Sequence, residues 1–145
     1  MFNHEESYLL PPNRYLEDFV DGYIIYYELN DDFTFAGFGV MLPDGTDIVL
    51  LEDVASIMPA VYSTTVISFI LNTSNLHGSI IYEDYTRASY KLLDLRGNEA
   101  AAGLGILMHD DGLGGYRVQG ADFFALLDDY GFITARVPIM GYSFD

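Results

Sequence analysis

Cysteine is absent from this chain, so disulfides, thiolate catalysis, Cys-ligated zinc and iron–sulfur clusters are excluded. Glycine-rich phosphate loops and the motifs of serine nucleophiles are also missing. The sequence therefore predicts a non-enzymatic protein that needs no cofactor. Tryptophan is absent as well, and the aromatic residues are mainly 12 tyrosines and 10 phenylalanines. Tyrosine suits both cores and interfaces, because it buries its ring while its hydroxyl stays hydrated.

Basic residues are scarce, with six Lys and Arg against 22 Asp and Glu, a formal charge of −16. Half of the chain is nevertheless apolar, which predicts one folded domain over residues 1–145 rather than a disordered acidic tail. Such a charge opposes compaction by self-repulsion, so either another interaction must favour the folded state or a partner must use the charge. Many of the acids form doublets, namely Glu5-Glu6, Glu17-Asp18, Asp31-Asp32, Glu52-Asp53, Glu83-Asp84, Asp110-Asp111 and Asp128-Asp129.

The charge is distributed unevenly along the sequence. Residues 1–53 contain twelve acidic residues and only one basic residue, Arg14. Residues 54–82 contain no charged residue, and residues 83–145 contain ten acidic and five basic residues. The neutral stretch is too interrupted for a membrane span, which needs about 20 consecutive apolar residues. It indicates a central, shielded element, and a homodimer formed through residues 54–82 stays an open alternative.

An acidic surface disfavours nucleic acid and anionic membrane, because both are polyanions. It favours basic proteins or divalent cations. The N-terminal residues, Met-Phe-Asn-His-Glu-Glu, lack the basic and apolar regions of a secretory signal, so we expect a cytoplasmic protein.

Local patterns predict an α+β fold: a mostly antiparallel sheet with two or three short helices. The helices are expected over 13–20, 54–61 and 120–129, the last because Phe123, Leu126 and Leu127 have helical spacing. The strands are expected over 23–29, 33–42, 47–51, 66–71, 79–85, 90–95, 101–108, 116–119 and 132–139.

Two segments resemble each other and suggest an internal duplication. Residues 36–45 read AGFGVMLPDG, and residues 102–112 read AGLGILMHDDG. This echo predicts a tandem pseudo-repeat of about 33–71 and 101–139, although such small–apolar strands ending in Asp-Gly are common. The paired glycines leave one strand face bare, which favours close packing of a helix over a ligand cleft.

The three histidines are His4, His77 and His109. His109 precedes Asp110-Asp111 and, with Glu83 and Asp84 nearby, would suit a divalent cation. A solvated turn explains the same residues better, so no metal site is predicted.

The sequence thus predicts an acidic inhibitor that docks on a basic, nucleic-acid-handling protein, through carboxylates that substitute for phosphates. A phage-type inhibitor of a host nuclease or defence complex and a toxin immunity protein fit equally well. The alternatives are an ordinary soluble acidic protein, and a small-molecule or metal-binding module or enzyme with a site at His77 or His109. The expected acidic face comprises Glu17, Asp18, Asp21, Asp31, Asp32, Asp44, Asp47, Glu52 and Asp53, with Tyr15, Tyr23, Tyr26 and Tyr27 as aromatic anchors.

Overall fold

The computed structural model describes residues 10–74, 87–109 and 114–138. Within these ranges the chain forms twelve β-strands and no helical element. The strands make three four-stranded antiparallel sheets, and each sheet is a simple meander in chain order. The predicted α+β class is therefore wrong, and the protein is nearly all β.

Each sheet is built from consecutive strands. The first sheet contains β1 (Arg14–Val20), β2 (Tyr23–Leu29), β3 (Phe35–Met41) and β4 (Asp47–Glu52). The second contains β5 (Ser56–Tyr62), β6 (Thr65–Asn72), β7 (Ser89–Leu93) and β8 (Glu99–Leu104). The third contains β9 (Ile106–His109), β10 (Tyr116–Gln119), β11 (Phe123–Leu127) and β12 (Ile133–Pro138).

The three predicted helices are strands for identifiable reasons. In β1 a bulge between Leu16 and Asp18 breaks the two-residue alternation, so its apolar residues imitate helical spacing. In β11 both faces carry apolar residues, and Ala125 and Leu127 point inward with the period of a strand. In β5, Pro59 lies on an edge strand, where its missing N–H removes no sheet bond. The predicted strand 79–85 lies outside the described residues.

The sheets stack in layers, with the second sheet in the middle. Alternate side chains of β6 point to opposite neighbours: Phe69 and Leu71 pack against the first sheet, and Ile70 packs against the third. The neutral segment is thus largely β5 and β6, and both faces of β6 are covered within the chain. A homodimer through residues 54–82 therefore could not form on a face of β6, because neither face is free. Edge strand β5 of the second sheet still leaves Met58 and Tyr62 exposed.

A repeat is present, but not the predicted one. In every sheet the third and fourth strands are joined by the same five-residue turn, in which the first residue donates to the fifth and the fourth donates to the first. A glycine with positive φ occupies the fourth position, where three-residue hairpin loops favour glycine. These turns are Leu42–Thr46, Asp94–Asn98 and Asp128–Phe132. The β2–β3 turn Asn30–Thr34 has the same two bonds, with Phe33 at the fourth position.

The pseudo-repeat of 33–71 and 101–139 fails because its segments occupy different places in the meanders. Gly37 and Gly39 lie within β3, whereas Gly103 is the penultimate residue of β8 and Gly105 connects β8 to the third sheet. The predicted helix over the bare glycines is also wrong. Tyr26 lies opposite Gly39 and covers it, and Tyr90 does the same for Gly103.

Two buried polar contacts join the second and third sheets. The Ser68 hydroxyl lies 2.6 Å from the Tyr116 hydroxyl. The Asn72 amide donates to the Leu107 carbonyl at 3.0 Å and accepts from the Leu107 N–H at 2.9 Å. Burial raises the pKa of Tyr116, so this phenol stays protonated as a partner of Ser68. These bonds fix the two sheets in one register.

The hydroxyl pair gives a direct test of this packing. We expect Tyr116→Phe or Ser68→Ala alone to lower the free energy of unfolding by about 1–2 kcal/mol, because each leaves a buried hydroxyl unpaired. The double variant is expected to cost less than the sum of the two. Urea unfolding of all four proteins measures the coupling, and additive losses would contradict the contact.

Candidate docking surface

The first sheet and its turns hold all of the net charge of the described residues. Residues 10–53 contain ten acidic residues and one basic residue, a formal charge of −9. The described residues from 54 to 138 contain five acidic and five basic residues, a formal charge of zero. A solubilising surface has no need of this segregation. The stack of sheets therefore has one strongly anionic outer layer.

Arg14 is the one basic residue in this layer, and it is paired with acidic residues of the same sheet. Its guanidinium contacts Glu28 at 3.2 Å and Asp47 at 3.1 Å, and lies 4.3 Å from the centre of the Tyr26 ring. Burial lowers the pKa of Arg14, but Tyr26, Glu28 and Asp47 outweigh it and leave that pKa raised. Asp47 is thus partly neutralised and contributes less to an acidic face than the sequence predicts.

Several other predicted acids also have structural roles. Asp21 accepts a 2.9 Å bond from the Val66 N–H, which links the first and second sheets. Glu52 lies 3.5 Å from Lys91 of the second sheet. Asp32 and Asp44 accept bonds from Thr34 and Thr46 in their turns, and these bonds lower the pKa of both carboxyls. Both carboxylates stay ionised and exposed.

The meander places these acids at its two ends. The β1–β2 and β3–β4 turns meet at one end and bring Asp21 and Asp44 there. The β2–β3 turn and the end of β4 meet at the other, with Asp31, Asp32 and Asp53. Asp31 accepts a 3.0 Å bond from Asn13, which holds it beside the start of β1. Glu17 and Asp18 lie exposed on edge strand β1.

The four predicted tyrosine anchors divide into two pairs. Tyr26 is fully buried, and Tyr23 packs edge-on against Phe69 in the core, so neither is an anchor. Tyr15 stacks on Tyr27 at 5.4 Å between ring centres, on neighbouring strands. This second pair is partly exposed at the edge of the first sheet.

Two phenylalanines extend this pair into a row. The Tyr27 ring lies 6.5 Å from Phe38, which lies 5.1 Å from Phe35. We call Tyr15, Tyr27, Phe38 and Phe35 the aromatic row. Tyr15 and Phe35 are exposed at its ends, while Phe38 packs into the core between the first and second sheets. The sequence analysis did not predict either phenylalanine as part of this surface. The signal that could have found them is the pairing of β2 with β3, which places Phe38 opposite Tyr27.

A concave region lies between the second and third sheets. It is a half-open groove of about 400 Å³, lined mainly by apolar side chains, with His109 and Arg117 at its polar side. The His109 ring lies 5.2 Å from the ring of Tyr116. No group of three metal-ligating side chains occurs among the residues that the structure describes. His77, Glu83, Asp84, Asp110 and Asp111 lie outside those residues.

Comparisons with protein-family models, curated proteins and solved structures found no match to this chain. The described ranges also contain no helix with the length and hydropathy needed to cross a lipid bilayer. The fold and the surface define a class directly: an all-β protein of three stacked meanders, with an acidic outer sheet that carries a row of aromatic rings.

Proposed function

We propose that this protein is an acidic, non-enzymatic binding protein that docks its first sheet on a basic partner. The observation that carries this proposal is the segregation of charge, −9 in the first sheet against zero in the described parts of the other two. Concentrated charge speeds association with a cationic surface and selects against anionic partners. The same charge disfavours direct contact with nucleic acid.

A protein that handles nucleic acid is the partner that this surface suits best. Such proteins present lysine and arginine grooves that track closely spaced phosphates. Exposed carboxylates at both ends of the first sheet and along its edge strand offer anions over the length of the sheet. An inhibitor of a nuclease or defence complex and an immunity protein for a toxin share this chemistry. The proposal keeps the cytoplasmic location that the sequence predicts.

The groove between the second and third sheets favours a second candidate, a module that binds a small ligand. Its lining would take an apolar molecule with an acidic group directed toward His109. The acidic first sheet has no part in that function, so variants of the first sheet discriminate between the two candidates.

Two matched variants test the proposed function. Glu17→Gln with Asp53→Asn removes two charges from the first sheet, and Glu99→Gln with Asp122→Asn removes two from the others. All four carboxylates are exposed and make no hydrogen bond or ion pair with another described residue. Both variants carry a formal charge of −14, reduced by two from −16. Their general solubility and long-range repulsion are therefore the same.

A partner captured from the native host is measured against each protein by titration. The first-sheet variant is expected to bind about five- to tenfold more weakly at low salt, because contacting charges contribute up to about 1 kcal/mol each. The other variant is expected to bind within about twofold of the natural chain, since its charges lie off the interface. Equal losses in the two variants would mean that the first sheet is not the docking surface.

A further inference from the structure

We propose that the aromatic row is the docking site for an arginine side chain of the partner, with the guanidinium stacked on the open face of Tyr15. This inference rests on the proposed function and names the partner's chemistry at one point of the first sheet. It selects arginine over lysine, whereas the carboxylates of the sheet attract both.

The row forms a supported platform. Tyr15 lies on edge strand β1 and is 41% exposed, and Tyr27 stacks on it from the adjacent strand with 22° between the ring planes. Tyr27 contacts Phe38, which is anchored in the core. A ring held from one side in this way has little freedom to lose when a ligand stacks on the other.

Tyr15 lies near the start of β1, and the acidic β2–β3 turn lies at that end of the sheet. Asp31 is held beside the start of β1 by Asn13, and Asp32 follows it in the same turn. Glu17 is the bulged residue of β1 and is exposed, so it adds charge along the same edge strand. A guanidinium is planar, is weakly hydrated and stacks on aromatic faces while its edge donates to carboxylates. An ammonium group is compact and strongly hydrated, so it gains less from the ring.

The same sheet already contains an arginine bound in this manner. Arg14 lies over the ring of Tyr26 and donates to Glu28 and Asp47. The third sheet repeats the stacking, with the guanidinium of Arg136 4.0 Å from the centre of the Phe123 ring. Tyr26 thus has an arginine of this chain over its ring. Tyr15, two residues after the Asn13 that binds Asp31, has no such arginine among the described residues.

A second copy of this chain is a poor occupant, because two first sheets would bring together two layers of charge −9. A purely apolar segment would contact the aromatic rings but would leave the carboxylates of the sheet without a cation. Charge complementarity therefore favours a basic segment that carries arginine.

The test uses fluorescent oligo-arginine and oligo-lysine peptides of equal length, titrated at low salt. The natural chain is expected to bind the arginine peptide about three- to tenfold more tightly than the lysine peptide. Tyr15→Leu is expected to abolish this preference with little effect on lysine-peptide binding, and Tyr15→Phe to keep it. Tyr130→Leu, at an exposed tyrosine of the third sheet, is the matched control and is expected to keep it as well.

The outcomes separate the two proposals. Equal affinity for the two peptides, or a preference that Tyr15→Leu leaves intact, would overturn the arginine site while the acidic docking surface stands. If neither peptide binds the natural chain at low salt, both this site and the proposed function fail.

Discussion

Replacing Arg14 with methionine is expected to lower the free energy of unfolding by about 2–4 kcal/mol. Removing one partner of a fully buried ion pair costs about 3–5 kcal/mol, and the loss is smaller here because the site is partly hydrated. The Arg14 side chain is 18% exposed and serves two carboxylates and the ring of Tyr26. Methionine preserves much of the stem but leaves Glu28 and Asp47 facing each other without a cation. Chemical denaturation at low salt measures the loss.

Two comparisons make this result specific. Lys91→Met removes the Lys91–Glu52 pair, whose side chains are more exposed, and is expected to cost less than about 1 kcal/mol. Added salt screens the repulsion between the two orphaned carboxylates, so the deficit of Arg14→Met should shrink as salt rises. A loss equal to that of Lys91→Met would show that Arg14 is an ordinary surface residue.

Replacing Asn72 with alanine is expected to cost about 2–5 kcal/mol, because two buried backbone groups lose their partners at about 1–3 kcal/mol each. The Asn72 side chain, on the last residue of β6, bonds to both the N–H and the C=O of Leu107 in β9. It acts as a short piece of strand between two sheets that are otherwise joined by packing and by the Ser68–Tyr116 hydroxyl pair. Urea unfolding measures the change.

Asn30→Ala is the control for this prediction, because it removes one exposed side-chain bond, to Thr34, at a turn of the first sheet. It is expected to cost less than about 1 kcal/mol. If Asn72→Ala were no more costly than Asn30→Ala, the second and third sheets would not depend on this amide for their alignment.

The sequence predicts the charged layer well for a physical reason. In a meander, strands that are consecutive in sequence are neighbours in the sheet, so the charge block in residues 10–53 becomes a charged sheet. The turns Asn30–Thr34 and Leu42–Thr46 are likewise local, and their Asn, Asp and Gly residues predict them.

The predicted helices are wrong, and Tyr23 and Tyr26 are buried rather than exposed, because both features depend on which face a residue occupies. The bulge between Leu16 and Asp18 shifts the alternation of β1, and no local signal marks it. Tyr26 and Tyr27 are adjacent on β2, so one must point to each side. Sequence alone does not say that Tyr26 lies under Arg14 while Tyr27 joins the aromatic row.

The central claim is that the carboxylates of the first sheet form a recognition surface rather than a means of staying soluble. The most direct test is the dissociation constant of the captured complex as a function of salt. We predict a loss of affinity of about tenfold or more between about 50 and 300 mM NaCl, as charges at the interface are screened. An affinity that stays constant over this range would contradict electrostatic docking by the first sheet.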